Sequence, residues 1–430
     1  MYYNKFADRV SFLADRMSFG LSRTLWLVQA GIFLNMLGYG AVLPFEIIYL
    51  HDGRGFSVGT AGLAVGLITG MAVVAAPLAG PLIDRYGPRT IAVGAGVALA
   101  GGYAGLAVAR TPAQAFAAAA LAGVGNGALN PSQSALLAAL APADRRHRAT
   151  AVSRVTANAG MGIGGALGGL VAATGLTGFV ALFLANAVSY LVYVCVLAAV
   201  VREPARSEPV RGGYLVVVRD RAFMHLALVN VVIIGVGWGV FSWLLPPYAR
   251  TETGASPPLV GLLLLANAVT VVVAQVPVAR LAEGRRRVVM TALSGAIFAA
   301  ACLLVAAVGG GSFGYSVLLT AAIAVGIGEC AHTTALMPLV ADLAPQGLRG
   351  RYMAAMGFSW WIGLTAAPAL GAQLLARSPK TVFLASAVLA AMAAVAALML
   401  ERKLPAQAVL TPRPAAVPPQ PSRPKGLHGR

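Results

Sequence analysis

The stretch Gly80-Pro81-Leu82-Ile83-Asp84-Arg85-Tyr86-Gly87-Pro88-Arg89 is the sharpest signal in this sequence. It forms a charged turn between two long apolar runs, at roughly 57–83 and 89–110. Its glycines let the chain turn tightly and let helices approach one another. Asp84 and Arg85 stand at the edge of the apolar run. There a carboxylate can pair with a nearby Arg or with the positive end of a helix. Such a pair can latch one conformation and release in another. The plainer alternative is a charged turn that only fixes orientation in a membrane.

Working outward, the apolar runs recur along the chain. They lie at roughly 24–50, 57–83, 89–110, 112–141, 150–174 and 176–200, then at 222–249, 257–282, 288–309, 313–344, 352–375 and 380–400. A bilayer core takes about 20 apolar residues as helix. The chain has 430 residues, of which 58% are apolar and 11% charged, where a soluble domain carries about 25% charged residues. The sequence therefore predicts an all-α polytopic membrane protein of twelve transmembrane helices in two six-helix halves. The expected layout is a cytoplasmic N-terminus 1–23, a first half 24–200, a cytoplasmic linker 201–221, a second half 222–401 and a disordered cytoplasmic tail 402–430. The first apolar run is too long for the core of a cleavable signal peptide. The tail is rich in proline and carries basic residues, a composition that cannot bury a core.

Charge fixes the orientation. A net charge of +18 could point to nucleic acid, but the basic residues sit in short clusters between apolar runs, with no aromatic interleaving. With the N-terminus inside and twelve alternating spans, 27 of the 32 Lys and Arg fall on the cytoplasmic side. Arg54, Arg110, Arg250, Arg377 and Lys380 fall outside. That bias predicts both termini in the cytoplasm of a multi-pass plasma-membrane protein. Cys195, Cys302 and Cys330 lie inside apolar runs and offer neither a disulfide framework nor metal-ligand spacing. No metal, cofactor or nucleic-acid partner is expected, and the protein is expected to be a monomer in the lipid bilayer.

The two halves resemble each other. A shift of 203 residues places Gly123 on Gly326, Gly125 on Gly328 and Leu140-Ala141-Pro142 on Leu343-Ala344-Pro345. Arg146 and Arg148 fall on Arg349 and Arg351, Gly160 on Gly363, and Ala166-Leu167-Gly168 on Ala369-Leu370-Gly371. Low complexity produces stray Ala and Leu matches. It does not readily place a proline, two arginines and several glycines in one register. Parallel repeats imply an axis along the membrane normal, with a binding site between the halves near the midplane.

The turn at Gly80, Asp84, Arg85, Gly87 and Arg89 resembles the G-x-L-x-D-R-x-G-x-R loop signature of the major facilitator superfamily. The resemblance extends over the chain to about residue 400. It implies a secondary transporter working by alternating access. The second-half loop, Arg280 to Arg287, keeps the glycine and the positive charge but has no Asp–Arg pair, so the latch is centred on Asp84. Gly160, Gly164, Gly168 and Gly169 in the fifth span resemble the G-x-x-x-G-P-x-x-G-G signature of antiporter members. Gly165 stands where that signature has proline. The eleventh span carries Gly363 and Pro368, the latter at the place matching Gly165. Glycines four apart equally serve plain helix packing. In the fourth span, Ala119 and Ala122 stand where proton antiporters of the family carry Arg and Gln, so coupling through that Arg is excluded.

Ionisable groups inside a membrane are functional candidates by default. Glu329 and His332 are three apart in the tenth span, and a carboxyl beside an imidazole suits a proton carrier. Glu46, after Pro44, reads either as a second proton carrier or as a residue at the outer interface. Gln29, Asn35, Tyr39, Asn126, Asn130, Asn230 and Asn267 are candidates for the cavity wall. Trp238, Trp360 and Trp361 offer flat apolar faces. A weakly charged cavity favours neutral, lipophilic or cationic substrates over phosphorylated ones. The drug-exporter branch fits best, as proton-coupled efflux of a small molecule; an uptake porter for a small metabolite is the alternative. A membrane-embedded enzyme is the rival from another class. Against it, the chain has no H-E-x-x-H, no G-x-S-x-G and no G-x-x-x-x-G-K-[ST].

The charge bias generates a direct test. A reporter enzyme that works only in the cytoplasm, fused after Arg430, is expected to be active. Activity of a periplasm-dependent reporter at the same place would overturn the twelve-span topology.

Overall fold

The computed structural model describes residues 21–141, 146–203, 215–308, 312–345, 348–404 and 409–410. The expectations for residues 1–20, for most of the linker and for the tail beyond Leu410 lie outside the described residues. Among the described residues, twelve long helical segments follow one another. In the first half they are α1 (Arg23–Gly53), α2 (Val58–Tyr86), α3 (Pro88–Val108), α4 (Pro112–Leu140), α5 (Arg146–Ala172) and α6 (Leu176–Val200). In the second they are α7 (Arg221–Thr253), α8 (Pro257–Ala282), α9 (Arg287–Ala306), α10 (Ser312–Leu343), α11 (from Arg349 to Arg377) and α12 (Pro379–Leu400). A one-turn helix, Leu215–Arg219, precedes α7.

Eleven of these are long and apolar enough to cross a membrane. The remaining one, α4, is equally long and carries no charge. Gln114, Asn126, Asn130, Ser132, Gln133 and Ser134 lower its apolar content. Twelve antiparallel segments bring residue 23 and residue 400 to the same end of the bundle. That end, which also holds the Asp84 turn, is the terminal end; the opposite one is the distal end.

Local chemistry marks the boundaries. Proline opens α3, α4, α8 and α12 at positions where its missing N–H costs nothing. Thr111 and Gln114 form a reciprocal capping box at the start of α4. The Asp220 carboxylate accepts from the N–H groups of Ala222 and Phe223, both at 3.0 Å, at the start of α7. Three helices are irregular in mid-course. α1 tightens to a 3-10 turn at Leu43–Phe45, where Pro44 removes a donor. α7 widens to a π-helix over Gly235–Leu244. α11 does the same at Ala367–Gly371, around Pro368.

Glycine sets how closely the helices approach. Gly160, Gly164 and Gly168 of α5 lie against the carbonyls of Phe33, Leu37 and Ala41 of α1, also four apart. In the second half, Gly363 of α11 meets Val231 and Gly235 of α7, Ala367 meets Gly239, and Gly371 meets Leu244. The same two helices also cross between the halves. Gly162, Gly165 and Gly169 of α5 face Ala268, Leu264 and Pro257–Pro258 of α8. Gly62, Gly66 and Gly70 of α2 face Ala372, Ala369 and Thr365 of α11.

The two halves repeat their polar and aromatic ties. Tyr49 Oη donates to the Ala107 carbonyl at 2.7 Å and caps α3, and Tyr248 Oη donates to the Val305 carbonyl at 2.9 Å and caps α9. Tyr49 packs on Phe183 with ring centroids 4.5 Å apart, and Tyr248 on Phe383 at 4.7 Å. At the terminal end, Glu203 after α6 accepts from the Arg89 and Thr90 N–H groups at 2.9 and 3.0 Å. In return, Arg89 donates to the Leu197 and Ala198 carbonyls at the end of α6. The counterpart is Arg286 at the start of α9, whose Nε donates to Glu401 after α12 at 2.7 Å.

In lipid, helix association rests on close packing rather than on burial of apolar surface. Gly164→Val, which pushes a side chain into the Leu37 carbonyl, is therefore expected to lower stability by about 1–3 kcal/mol. Gly80→Ala points into open space and is expected to leave stability unchanged. Thermal unfolding of the purified protein in detergent measures both. Equal melting temperatures for Gly164→Val and the parent would show that the α1–α5 approach is not limiting.

Candidate functional site

A cleft lies where the halves meet. α1 contributes Leu43, and α5 contributes Asn158, Met161 and Gly162. α7 contributes Trp238 and Ser242, α8 contributes Leu264, Asn267 and Ala268, and α10 contributes Glu329. A neighbouring hollow between Phe241, Leu245, Leu263 and Ala322 shares Ser242, Leu264, Asn267 and Glu329 with it. Among the described residues, Glu329 is the only ionisable side chain of either lining. The walls are otherwise apolar, aromatic or neutral amide and hydroxyl.

Glu329 is held from α8, where Asn267 Nδ2 donates to its Oε1 at 3.2 Å. Trp238 of α7 lines the cleft alongside the same carboxyl. His332 does not join it. Residues three apart on an α-helix are about 60° apart around the axis, so the two side chains address different neighbours. The Nε2 atom of His332 pairs with Asn230 Oδ1 at 2.9 Å, and Asn230 Nδ2 donates to Ser359 Oγ at 2.7 Å. Ser359 Oγ in turn donates to the Met356 carbonyl. These directions leave Asn230 Oδ1 only as an acceptor, so Nε2 carries the proton and Nδ1 is left without a partner. The expected Glu329–His332 pair is thus two separate groups, one at the cleft and one between α7, α10 and α11.

Glu46 is 2% exposed and lies inside the protein rather than at an interface. Tyr103 Oη of α3 donates to its Oε1 at 3.1 Å, and Trp243 Nε1 of α7 donates to its Oε2 at 2.8 Å. The second bond crosses between the halves. Two others cross near it. Arg250 of α7 meets Asp52 of α1 at 3.3 Å, and Gln373 of α11 donates to the Gly59 carbonyl of α2 at 2.8 Å. Together they tie the distal end of the bundle.

The other sequence candidates divide. Trp238 lines the cleft and packs on Trp360 at 5.8 Å; Trp361 is half-buried beside it on α11. Asn35 is fully buried near Tyr190, with neither amide atom completing a hydrogen bond. Tyr39 is half-buried close to Glu46. Asn126 is half-buried and Asn130 exposed on α4, and neither borders the cleft. Gln29 bonds Ser153 at 2.6 Å and joins α1 to α5. In the signature turn, Gly87 has φ 90° and its N–H caps α2 on the Ile83 carbonyl. A side chain at Gly87 would also strike Glu203. Asp84 and Arg85 are exposed; Arg85 stacks over Tyr86, and Asp84 pairs with no described residue.

Sequence reasoning missed Trp243, Asn158, Ser242 and Met161, as well as Glu203 and Glu401. For Trp243 a signal existed: it follows Trp238 by five residues in a glycine-rich span. Glu203 and Glu401 could be found as the first acid after the last span of each half. The cleft-lining Asn158 and Met161 had no such mark.

Comparison with known proteins places this geometry. The family model described as Major Facilitator Superfamily matches residues 30–236 and 227–427. An uncharacterized MFS-type transporter, YqjV of Bacillus subtilis, is 26% identical over 347 residues, covering 78% of this chain and 82% of its own. The multidrug resistance protein MdtH of Salmonella typhimurium is 28% identical over 349 residues, covering 79% and 82%. Among solved structures, a POT peptide transporter superposes with a TM-score of 0.75 at 16% identity, over 90% of this chain and 95% of that one. A bacterial homolog of the human lysosomal transporter Spinster gives a TM-score of 0.71 at 14% identity, over 90% and 98%.

Proposed function

This chain belongs to the Major Facilitator Superfamily, and on that footing we propose that it exports lipophilic or drug-like compounds from the cytoplasm by proton-coupled alternating access. The observation that carries the reading is Glu329: one carboxyl at the wall of an otherwise uncharged cleft that both halves line. An uncharged, aromatic wall suits a lipophilic substrate, since it desolvates no phosphate or carboxylate. A single buried carboxyl supplies one exchangeable proton, or one counter-charge to a cationic substrate. The family resemblance of MdtH, a multidrug resistance protein, points the same way.

Energy coupling follows from that assignment. Transport against a gradient needs a group that is proton-loaded when one side is open and unloaded when the other is. Glu329 is at the cleft, and Glu46 is bonded away at the distal closure. Glu329 is therefore the proton carrier and Glu46 part of the gate. His332, locked in its own network, supports the helices around α10 rather than the proton.

The signature turn has the form of a released latch. The distal end is tied by Glu46–Trp243, Asp52–Arg250 and Gln373–Gly59, while Asp84 at the terminal end is exposed. If basic loops face the cytoplasm, this is a state closed to the outside. Asp84 then engages only when the terminal end closes.

In liposomes with an imposed pH gradient, the parent protein is expected to concentrate a fluorescent lipophilic cation. Glu329→Gln is expected to bind the dye and exchange it downhill but to lose accumulation to the level of protein-free vesicles. Glu46→Gln, measured alongside, is expected to keep gradient dependence at a reduced rate. Uphill accumulation by Glu329→Gln with the parent's pH dependence would remove Glu329 from the coupling step.

Asp84→Asn is expected to insert and purify like the parent but to transport at no more than about one-tenth of its rate, as loss of about 1.4 kcal/mol from one conformer would do. Transport at the parent's rate by a fully inserted Asp84→Asn protein would deny the latch.

A further inference from the structure

Trp238 and Trp243 both lie in the π-helical segment Gly235–Leu244 of α7. Each approaches a buried carboxyl, and the two carboxyls belong to opposite halves. Trp243 Nε1 donates to Glu46 of α1 at 2.8 Å, in the distal closure. Trp238 lines the cleft alongside Glu329 of α10. The two indoles are five residues apart. In an α-helix, five residues turn through about 500°, which leaves the side chains about 140° apart. In a π-helix the i→i+5 hydrogen bond brings such residues onto neighbouring turns of one side. The π register thus turns both indoles toward one side of α7.

The surroundings of the segment permit it to change register. Gly235, Gly237 and Gly239 present bare backbone to Gly363 and Ala367 of α11 and to Phe298 of α9. Its neighbour on α11, Ala367–Gly371, is itself a π turn. π segments are uncommon and cluster at functional sites. Absorbing one into α geometry rotates everything beyond it by about 100°.

We propose that Trp238 and Trp243 act as one coupling pair, through which a displacement of Trp238 from the cleft wall it shares with Glu329 releases the Trp243–Glu46 tie at the distal closure. The proposal rests on the alternating-access reading above and adds the part that carries the signal. A substrate or proton arriving at Glu329 displaces the Trp238 indole from that wall. Once Trp238 is free, the segment relaxes toward α geometry, and Trp243 swings away from Glu46. Arg250, on the same helix beyond the segment, turns with it and leaves Asp52. One rotation of α7 therefore removes two of the three cross-half ties. Both tryptophans are positioning residues for the gate, and Trp238 alone also touches the cleft.

The test needs no transport. Spin labels at Ala113→Cys, at the distal start of α4, and Ala307→Cys, at the distal end of α9, report separation of the halves in the full-length protein lacking the exposed Cys195. The parent is expected to show one short distance. Trp243→Phe is expected to raise the long-distance fraction roughly three- to tenfold, the effect of losing one buried hydrogen bond on a two-state balance, and Trp238→Phe to raise it in the same direction. The double variant is expected to go no further than the larger single one. Glu329→Leu, which removes the carboxyl from the same cleft wall, should match Trp238→Phe. If Trp243→Phe opens the distal end while Trp238→Phe and Glu329→Leu leave the parent's distance, the indoles act separately and the coupling is wrong. If no variant moves the distance, Trp243 is not a distal tie. Because dye and gradient play no part, these results stand apart from the identity of substrate and ion.

Discussion

Everything in this fold depends on how closely two helix backbones can approach in a solvent that does not push them together. Hydrocarbon is as apolar as a leucine side chain, so leucine against leucine gains little. What remains is close backbone contact and a few polar bonds. α5 provides the first on two sides: Gly160, Gly164 and Gly168 lie on α1, and Gly162, Gly165 and Gly169 lie on α8. One helix is thereby packed into its own half and against the other. α11 holds the same position by Gly363, Ala367 and Gly371 toward α7 and by its contact with α2. Inter-half contact through bare backbone suits sliding, because no side chain has to be unlocked.

The fold was legible because membrane insertion writes itself into composition. Long apolar runs, a charged turn at Asp84 and a lopsided distribution of Arg are each visible without coordinates. The repeat was only partly visible. A shift of 203 aligns α4 and α5 with α10 and α11, yet Tyr49 matches Tyr248, Phe183 matches Phe383, and Arg89 matches Arg286 at smaller offsets. The connections differ in length between the halves, so no single register catches every pair. A repeat of this kind is kept in space more faithfully than in spacing.

The site was less legible, and the reason is directional. Sequence spacing tells which residues share a helix face but not which neighbour that face meets. Glu329 and His332 are close in sequence and bond to different helices. Glu46 and Trp243 are far apart in sequence and bond to each other. Of the first-half amides picked from the sequence, Gln29 is shared between α1 and α5, and Asn35 is buried away from the cleft without completing a hydrogen bond. In a membrane, a polar side chain between helices and one facing a substrate look alike in one dimension.

The paired clamps at the terminal end have a wider meaning. Glu203 fastens the start of α3 to the end of α6, and Arg286 fastens the start of α9 to the end of α12. Each half is thus stitched into a ring whose last helix is anchored to its own interior, not to the other half. A ring closed in this way keeps its shape whether or not the polypeptide continues. Neither clamp draws on the other half. Cutting the chain between the halves is then expected to leave both rings intact and free to meet through α2, α5, α8 and α11. The covalent unity of the chain matters for delivering two halves together, and the architecture behaves as a dimer that happens to be made in one piece.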